Sequence, residues 1–510
     1  MSRTNPKILL AYPANQLMSI EIPRPDGSLG LLYLVGALRR EGFHVDLLDV
    51  SVGSKEDSLR ETFFRRVLQS NGLTRIGMSP ARLREHLACE SYDIVGINSN
   101  FTPQTRMALE VAKNAKDIDP ETLVIAGGVN ARALSDRFLS SGFVDVIVLT
   151  EGDTIISKIV KAWQKNTSFE GVGGITWVRN GVHITNPVAP DTILTNLNDL
   201  PFPAWDLLPF EKYDDINSPH GSITPGKRRR YAPIMTSRGC PFRCEYCHIS
   251  DEKEADAQTG GIGFLRLKSI DRVMEEVEIL RTFGVTHLYI EDDSLLAKKP
   301  RIKDLFHRLN GMGMKISDVN GVNLVHFSIP TSGGRLQPDV EYMEIMKAAG
   351  FDEIVFPVES GSQRILDTYA SAKLRLDKLN VLELVREAVR IGIACPINMM
   401  IGFPDETEEE MKLTVELAQR LIDAGTPYIT FFIPIPFPGS KLYRQAIAGG
   451  YLSTSFDTDA MNWKNAVMQN TKVSPRRIVE LRDWAWETVN TTDYKRQRKE
   501  REIRDPRLAE

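Results

Sequence analysis

The sequence predicts an α/β protein in which an open parallel sheet is followed by an open, partial (β/α)6 barrel. Short apolar strand patterns alternate with amphipathic helix patterns over residues 1–165, and the same alternation returns over residues 231–450. Such an alternation is typical of parallel sheets that are covered by helices. Residues 166–230 form a hairpin and linker between the two units, and residues 451–510 form a small helical extension.

Composition excludes several classes of protein. The chain has 510 residues, 42% of them hydrophobic and 25% charged, which is ordinary for a soluble globular protein with more than one core. A net charge of −4 supplies no overall positive field, so a nucleic-acid partner is not expected. No stretch approaches the roughly 18 apolar residues of a membrane span, and the start of the chain does not resemble a signal peptide. We expect a cytoplasmic protein.

The first unit carries five strand–helix repeats but no nucleotide fingerprint. The segment after its first strand, Pro13 to Gln16, has no glycine pair, and no P-loop occurs anywhere. Ligands of open parallel sheets bind at the carboxyl ends of the strands. Small and polar residues cluster at three such ends and predict a wide, flat ligand bed: Ser99, Asn100, Gly127, Gly128, Glu151, Gly152 and Thr154.

The connection between the units contains a hairpin and an irregular stretch. Asn180-Gly181 lies between two strand patterns, which is a strong hairpin signal. The proline-rich stretch that follows ends in the basic run Lys227 to Arg230, which we expect to be a solvated linker.

Three cysteines lie close together at the start of the second unit. Cys240, Cys244 and Cys247 have the spacing C-x-x-x-C-x-x-C and follow the apolar strand Ala232 to Met235. Three thiolates can hold three irons of a 4Fe–4S cube and leave the fourth iron open for a ligand. The alternative is a structural zinc site with His248 as fourth ligand, but zinc sites usually pair two separate hooks. The remaining cysteines, Cys89 and Cys395, are expected to be small buried residues.

The second unit has six strand patterns, too few to close an eight-stranded barrel. We place the third of these strands at Asn323 to Ser328. Carboxylates follow the second and fourth strands at Glu291 to Asp293 and at Glu359. A cationic cosubstrate that carries an amine and a ribose diol would need such acceptors at the barrel mouth.

With Tyr246 before its last cysteine, the cysteine run resembles the radical S-adenosylmethionine (radical SAM) superfamily. The resemblance implies a TIM-type partial barrel, with Cys240, Cys244 and Cys247 as cluster ligands and catalytic residues. It places Glu359 at the ribose of S-adenosylmethionine, and a basic residue, here Lys373, in the segment that follows. The usual amine-binding Gly-Gly-Glu is absent around Asp292. The residues expected to bind S-adenosylmethionine are Tyr246, Asp292, Glu359, Ser360, Asn398 and Gly402.

The first unit is similar to the Rossmann-like cobalamin-binding domain of the cobalamin-dependent branch of this superfamily. The similar segments are Pro23 to Leu34, Ala126 to Gly128 and Thr150 to Thr154. The resemblance implies that the polar strand ends of the first unit bind cobalamin. A common motif, D-x-H-x-x-G, is missing, so we expect no histidine ligand to cobalt.

The resemblance implies an enzyme that cleaves S-adenosylmethionine reductively and methylates an unactivated carbon of a small-molecule substrate. It also implies an electron donor such as flavodoxin or ferredoxin. A cobalamin-assisted radical cyclase or rearrangement enzyme is the alternative within enzymes. A methylthiotransferase acting on transfer RNA would need further cluster cysteines in the first unit. Outside enzymes, a corrinoid- or zinc-binding sensor would need no carboxylates at the barrel mouth.

A C-terminal helix, Arg476 to Val489, is expected to pack across the barrel mouth or to line a substrate pocket.

Overall fold

The computed structural model describes residues 5–18, 21, 27–216, 229–254, 259–318 and 320–504, without the side chains of residues 254 and 500–504. The start of the segment Pro23 to Leu34 and the residues Lys227 and Arg228 of the basic run lie outside the described residues. Within them, no helix is both long enough and apolar enough to cross a membrane.

The first unit contains a seven-stranded sheet and a small three-stranded sheet. Its strands are β1 (Ile8–Tyr12), β2 (Asn15–Leu17), β3 (Val45–Asp49), β4 (Arg66–Leu68), β5 (Thr74–Ile76), β6 (Ile94–Asn98), β7 (Leu123–Gly127), β8 (Val146–Val148), β9 (Ile175–Arg179) and β10 (Val182–Asn186). The large sheet has the order β10-β9-β8-β7-β6-β1-β3, and the five strands from β8 to β3 in this order are parallel. The predicted hairpin, β9 and β10, pairs antiparallel with β8, so this sheet continues past residue 165.

Helices cover both faces of this sheet, as the alternation predicts. Ser79 caps the second helix by accepting a hydrogen bond from the Arg82 main chain, as expected for a serine before proline. After β7 the chain forms two short helices that meet at Leu134. The helices are α1 (Leu29–Arg40), α2 (Pro80–Glu90), α3 (Thr105–Ile118), α4 (Val129–Ala133), α5 (Ser135–Leu139) and α6 (Gly152–Gln164).

The second unit is a partial barrel of six parallel strands. Its strands and the small hairpins beside them are β11 (Tyr231–Ile234), β12 (Ser237–Arg238), β13 (Arg266–Leu267), β14 (His287–Ile290), β15 (Lys315–Asp318), β16 (Ser328–Pro330), β17 (Leu336–Pro338), β18 (Phe356–Glu359), β19 (Ile397–Met400) and β20 (Ile429–Phe432). The barrel strands form two parallel triplets, β11-β14-β15 and β18-β19-β20. A parallel bridge between Ile316 and Phe351 links the triplets into one curved wall.

The prediction of the third barrel strand was wrong. The strand is β15, and the stretch that we assigned contains a 3-10 helix, Leu324–Phe327, followed by the edge strand β16. The side chain of Asn323 accepts a hydrogen bond from the Val325 main chain, which starts a turn where the apolar pattern suggested a strand.

The helices of the second unit are α7 (Phe210–Ile216), α8 (His248–Glu254), α9 (Ile270–Thr282), α10 (Lys299–Leu309), α11 (Val340–Ala349), α12 (Gln363–Tyr369), α13 (Val381–Ile391), α14 (Glu408–Asp423), α15 (Lys441–Ala448), α16 (Pro475–Val489) and α17 (Thr492–Arg504). Arg230, at the end of the basic run, is no solvated linker residue, because it pairs with Asp214 and Glu211 of α7. The predicted C-terminal helix, α16, lies alongside the barrel's last strand. Just after it, the Asn490 amide exchanges hydrogen bonds with both main-chain groups of Ile429. This helix therefore covers the edge strand β20.

A buried ionic network joins the two units. The Arg238 guanidinium lies 2.7 Å from Asp153 and 3.2 Å from Glu151, at the start of α6. Glu151 also pairs with Arg266 of β13 at 2.5 Å. The fully buried Lys268 donates to the Tyr33 hydroxyl of α1 at 2.5 Å. These contacts fix the carboxyl end of the first sheet against the segment that leads into the three cysteines.

We expect the substitution Arg238→Ala to lower the free energy of unfolding by about 3 kcal/mol, because it leaves the Asp153 carboxylate buried without its partner. Urea unfolding followed by circular dichroism measures this change. Lys158→Ala, which breaks the exposed pair with Asp191, is the control and should cost less than about 1 kcal/mol. Equal unfolding midpoints for the two variants would show that the network contributes little.

Candidate active site

The three cysteines lie on one loop that the protein holds from several sides. The Gly239 main chain donates to Asp293 at 2.8 Å, and the Cys240 main chain donates to the Gly263 carbonyl at 3.2 Å. Gly239 has a φ of 79°, and a Cβ there would lie 2.4 Å from the Phe264 carbonyl oxygen, so only glycine fits this approach. Main-chain contacts therefore fix the shape of the loop.

Two of the three cysteine thiols are hard to ionise without a metal. Burial raises the pKa of Cys244, against the lowering effect of Lys373, and raises the pKa of Cys247 to about 12. The charges of the neighbouring cysteines add to this rise. Iron would stabilise the thiolates that burial disfavours. Within the described residues, no three side chains of histidine, cysteine, aspartate or glutamate are placed to hold a single metal ion. A 4Fe–4S cube does not require this placement, because each thiolate binds a different iron.

Glu359 forms a buried triad with Tyr246 and Lys373. One carboxylate oxygen, Oε1, accepts from the Tyr246 hydroxyl and from the Lys373 ammonium, both at 2.8 Å. Burial alone would lower the pKa of Lys373, but the Glu359 carboxylate and the Cys244 thiol outweigh it and raise this pKa. The fourth strand is thereby connected to the cysteine loop through charged hydrogen bonds. Among the described residues, none donates a hydrogen bond to the second oxygen, Oε2, so this oxygen can accept one from a ligand hydroxyl.

The backbone at Glu359 is bent to aim this side chain. Its φ is 69°, in a region that non-glycine residues rarely adopt. The Ser360 main chain donates to the Val358 carbonyl at 2.9 Å, which makes a γ-turn centred on Glu359. The pairing of β18 with β19 also shifts register between Pro357 and Glu359. Such strain is typical of functional positions.

The fifth strand presents half-buried residues to the barrel interior. Asn398 and Met400 are half-buried, whereas Ile397 and Met399 are fully buried. In the loop after β19, Gly402 has a φ of 103° and donates to Glu406 Oε2 at 2.6 Å. The next ring in that loop, Phe403, lies 6.1 Å from the Tyr246 ring. The structure therefore brings Asn398, Gly402, Tyr246 and Glu359 to one mouth.

The side chains of Asp292 and Ser360 already form hydrogen bonds with other residues of the chain. Asp292 is fully buried and accepts hydrogen bonds from the Thr236 main chain (2.6 Å), the Thr236 hydroxyl (2.7 Å) and the Ser237 hydroxyl (2.6 Å). Ser360 is fully buried and bonds to Thr414 of α14 at 3.1 Å. Both side chains fix local structure, and cofactor contact by either of them stays a prediction.

The carboxyl ends of β6 and β7 form a polar, close-packed cradle. A Cβ at Gly128 would lie 2.4 Å from Asn100 Oδ1. The Ser99 hydroxyl accepts from the Asn130 amide at 2.9 Å. The side-chain oxygens of Asn98 and Asn130 are buried without a hydrogen-bond partner in the described structure. Unsatisfied acceptors at this edge fit a ligand with many amide donors, such as a corrinoid.

The other predicted residues at this edge already have partners in the protein. Glu151 is held by Arg238 and Arg266, and Thr154 donates to the Thr192 carbonyl at 2.5 Å. Gly152 allows close packing, because a Cβ there would lie 3.0 Å from Leu34. Gly127, at the end of β7, has more space, since its nearest such contact is Val148 at 3.7 Å. Contact of these residues with cobalamin stays a prediction.

The described histidines of the first unit lie away from the cradle. His44 is exposed at the amino end of β3, the end opposite the strand termini that bind ligands. His86 is within α2 and His183 is on the edge strand β10. None of these three histidines lies at the strand ends of the cradle, and the absence of a histidine ligand to cobalt stays a prediction.

Sequence reasoning missed one contact and one residue at the mouth. It named Lys373 but not its pairing with Glu359. It assigned no role to Glu406, which lies before α14 and accepts hydrogen bonds from the main chains of Gly402 and Phe403. Cys89 is exposed and not buried as expected, whereas Cys395 is buried.

Comparison with known proteins matches both units. The radical SAM superfamily model matches residues 234–418, and the B12 binding domain model matches residues 26–160. An uncharacterized methyltransferase of Pyrococcus horikoshii is 29% identical over 78% of this chain and 76% of its own. The cytidylyl-2-hydroxyethylphosphonate methyltransferase of Streptomyces wedmorensis is 26% identical over 92% of this chain and 86% of its own.

Two further matches concern the fold and the reaction. The radical SAM methyltransferase TsrM from Kitasatospora setae, solved with cobalamin and a [4Fe-4S] cluster, shares the fold with a TM-score of 0.59 at 16% identity. This match covers 88% of our chain and 78% of TsrM. The anaerobic magnesium-protoporphyrin IX monomethyl ester cyclase of Cereibacter sphaeroides is 24% identical over 72% of this chain and 55% of its own.

The partial barrel, the cysteine loop and the match of the radical SAM superfamily model define a radical SAM enzyme that uses a 4Fe–4S cluster and S-adenosylmethionine. With its B12 binding domain, the chain belongs to the cobalamin-binding radical SAM superfamily, in the methyltransferase-like branch.

Proposed function

We propose that this enzyme transfers a methyl group from S-adenosylmethionine, by way of cobalamin, to an unactivated carbon of a small-molecule substrate. One observation carries the proposal. Residues directly after β8, Glu151 and Asp153, bind Arg238 in the segment that leads to the cysteines. Arg132, in the helix after β7, likewise pairs with Glu252 of α8, just after the cysteines. The cobalamin edge of the first sheet therefore faces the cysteine side of the barrel mouth.

Such a juxtaposition suits a reaction that needs both cofactors at one substrate. When bound, the cluster supplies the electron that cleaves S-adenosylmethionine, and cobalamin carries the methyl group. The chain's own residues hold these groups in place. Cys240, Cys244 and Cys247 would bind iron, and Glu359 would accept hydrogen bonds from the ribose hydroxyls through its second oxygen. The cradle at Gly128 and Asn130 would bind the corrinoid amides. The network around Arg238 holds the two units together.

A cobalamin-assisted cyclase or rearrangement enzyme is the second candidate. The similarity to a cyclase supports it, although that cyclase is matched over only 55% of its length. The methyltransferase relatives from Pyrococcus and Streptomyces are matched over most of their length, which favours methyl transfer.

The products of the reaction distinguish the two candidates. In methyl transfer, one S-adenosylmethionine leaves S-adenosylhomocysteine and another leaves 5′-deoxyadenosine. We expect the two products in comparable amounts per turnover, together with the labelled methyl group in the product. Mass spectrometry of the reduced, cobalamin-loaded enzyme with candidate substrates measures them. Substrate conversion with 5′-deoxyadenosine as the only nucleoside derived from S-adenosylmethionine would refute methyl transfer and support the cyclase.

We also propose the remaining partners. An electron donor such as flavodoxin or ferredoxin would reduce the cluster. Because thiolate-held clusters persist in reducing compartments, the cytoplasm is the proposed location.

A further inference from the structure

The sixth barrel strand carries an aromatic pair at the mouth. Phe432, the last residue of β20, pairs in register with Met400 of β19, so the two side chains lie on the same face of the sheet. This is the half-buried face that Asn398 and Met400 present to the barrel interior. The Trp463 ring of the C-terminal extension lies 5.4 Å from the Phe432 ring. The Trp463 carbonyl also accepts a hydrogen bond from the Ile433 main chain at 3.1 Å. We call Phe432 and Trp463 the aromatic wall.

The segment that carries the aromatic wall also contacts the first unit. Trp463 Nε1 donates to Glu21 Oε1 at 3.0 Å, between β2 and α1. Asp459, four residues before Trp463, accepts hydrogen bonds from the Gln16 amide and from the Arg106 main chain, both at 3.2 Å. These two partners follow β1 and β6 at the carboxyl edge of the first sheet. The aromatic wall therefore lies where the barrel meets the edge that we propose for cobalamin, which is where a substrate of both cofactors has to bind.

A lysine without an anionic partner lies against the wall. The half-buried Lys464 places its ammonium 5.2 Å from the centre of the Trp463 ring. Among the described residues, no carboxylate forms an ion pair with this ammonium. The two carboxylates whose charges reach it have other partners. Glu21 accepts from Trp463, and Asp483 pairs with Arg482 at 2.9 Å. The Lys464 ammonium therefore has N–H donors for a ligand.

A buried arginine beside Lys464 adds positive charge. Arg482 of α16 is 7% exposed, and its Nη2 donates to the Lys464 carbonyl at 3.2 Å. Its Nε is buried and has no hydrogen-bond partner in the described structure. Burial lowers the pKa of Lys464, and the positive charges of Arg482 and Arg498 lower it further. An unsatisfied donor and a desolvated ammonium in cationic surroundings favour an anion as the ligand.

We propose that the aromatic wall, Lys464 and Arg482 form a substrate subsite for a carboxylate or phosphate group that is joined to a flat apolar group. Lys464 binds the anionic group, and Arg482 adds positive charge and a free N–H beside it. The wall packs against the apolar group. The inference rests on the proposed function, because it takes the ligand to be the substrate of that reaction, and it deepens that function by naming the substrate's class.

Calorimetry on the enzyme loaded with cluster, cobalamin and S-adenosylmethionine tests the subsite with phenyl phosphate, benzoate and phenol. Phenol has the same ring but is uncharged at neutral pH. We expect at least one of the two anions to bind about tenfold more tightly than phenol, because it gains a hydrogen bond between charged groups. The anion that binds more tightly identifies the group as phosphate or carboxylate. Equal affinities for all probes, or no binding of either anion, would overturn the proposal.

Variants of Lys464 locate the binding of the anion. Lys464→Met removes the charge but keeps the length of the side chain, and it should weaken the preferred anion about tenfold without changing phenol. Lys464→Arg keeps the charge and should retain the preference for the anion. The control Lys472→Met removes an exposed lysine of the same extension and should change no affinity. Wild-type affinity of Lys464→Met for both anions would refute the subsite and leave the Arg482 Nε to an internal water.

A variant of the aromatic wall tests the other half of the subsite. Trp463→Leu should weaken every probe, charged or not, because the ring that packs against them is lost. Unchanged cluster absorption and an unchanged urea midpoint show that each variant is folded. Wild-type affinity of Trp463→Leu for all probes would refute the role of the wall.

These binding measurements need no turnover, so their outcome is separable from that of the proposed function. Product analysis that refutes methyl transfer would leave the subsite in place for the substrate of a cyclase. Loss of the anion preference in the wild type would refute the subsite and leave methyl transfer untouched.

Discussion

Protein in which Cys240, Cys244 and Cys247 are all changed to alanine should bind no 4Fe–4S cluster after anaerobic reconstitution. The broad visible absorption of the cluster should disappear, and 5′-deoxyadenosine formation should fall to background. The physical reason is that the three thiols lie on one loop, and burial raises the pKa of Cys244 and Cys247, so that iron must replace their protons. Absorption spectroscopy, iron analysis and chromatography of the nucleosides measure the outcome.

The other two cysteines supply matched controls. Cys89→Ala and Cys395→Ala, one exposed and one buried, should keep full iron content. The triple variant should still bind about one equivalent of cobalamin, because the cradle at Gly128 and Asn130 is in the first unit. Full iron content in the triple variant, or stoichiometric zinc in the wild type, would refute the assignment of the cluster ligands.

The substitution Glu359→Ala should suppress both 5′-deoxyadenosine and S-adenosylhomocysteine, each by about a hundredfold or more. It removes the acceptor of Tyr246 and leaves the buried Lys373 ammonium beside the cysteine loop without its partner. Removing one member of a buried ion pair costs about 3–5 kcal/mol. Part of that cost should appear as weaker binding of S-adenosylmethionine, which equilibrium dialysis measures.

Two variants separate binding from folding at this position. Glu359→Gln keeps the size of the side chain and should retain the cluster while it loses affinity for S-adenosylmethionine. Glu341→Ala removes an exposed carboxylate on α11 and should behave as wild type. If Glu359→Gln bound the cosubstrate as tightly as the wild type, the role of this residue would be confined to the fold.

The fold could be predicted where patterns are long and locally determined. The five parallel strands of the first sheet and five of the six barrel strands follow apolar runs flanked by capping residues such as Ser79 and Ser269. The third barrel strand was missed because Lys315–Asp318 is short and half polar. A more apolar stretch nearby is bent by the Asn323 side chain into a 3-10 turn.

The sequence predicted those parts of the candidate site that a short motif or a strand end marks. The cysteine spacing locates the cluster loop, and Glu359 lies at a predicted strand end. The sequence cannot show that the Asp292 carboxylate accepts hydrogen bonds from the Thr236 and Ser237 hydroxyls, because these contacts join segments more than 50 residues apart. It also cannot show that Glu151 is held by arginines of the second unit. Such roles depend on how the two units meet.

Because α16 and Asn490 cover the edge of β20, the order in which the ribosome makes these segments matters. Asn490 supplies the hydrogen bonds to Ile429, yet it is made some 60 residues after that strand. Until it emerges, the last barrel strand has an open edge that can pair with other nascent chains. We therefore expect chains stopped before α16 to form aggregates or to be held by chaperones, even though every cofactor-binding residue named here has already been made.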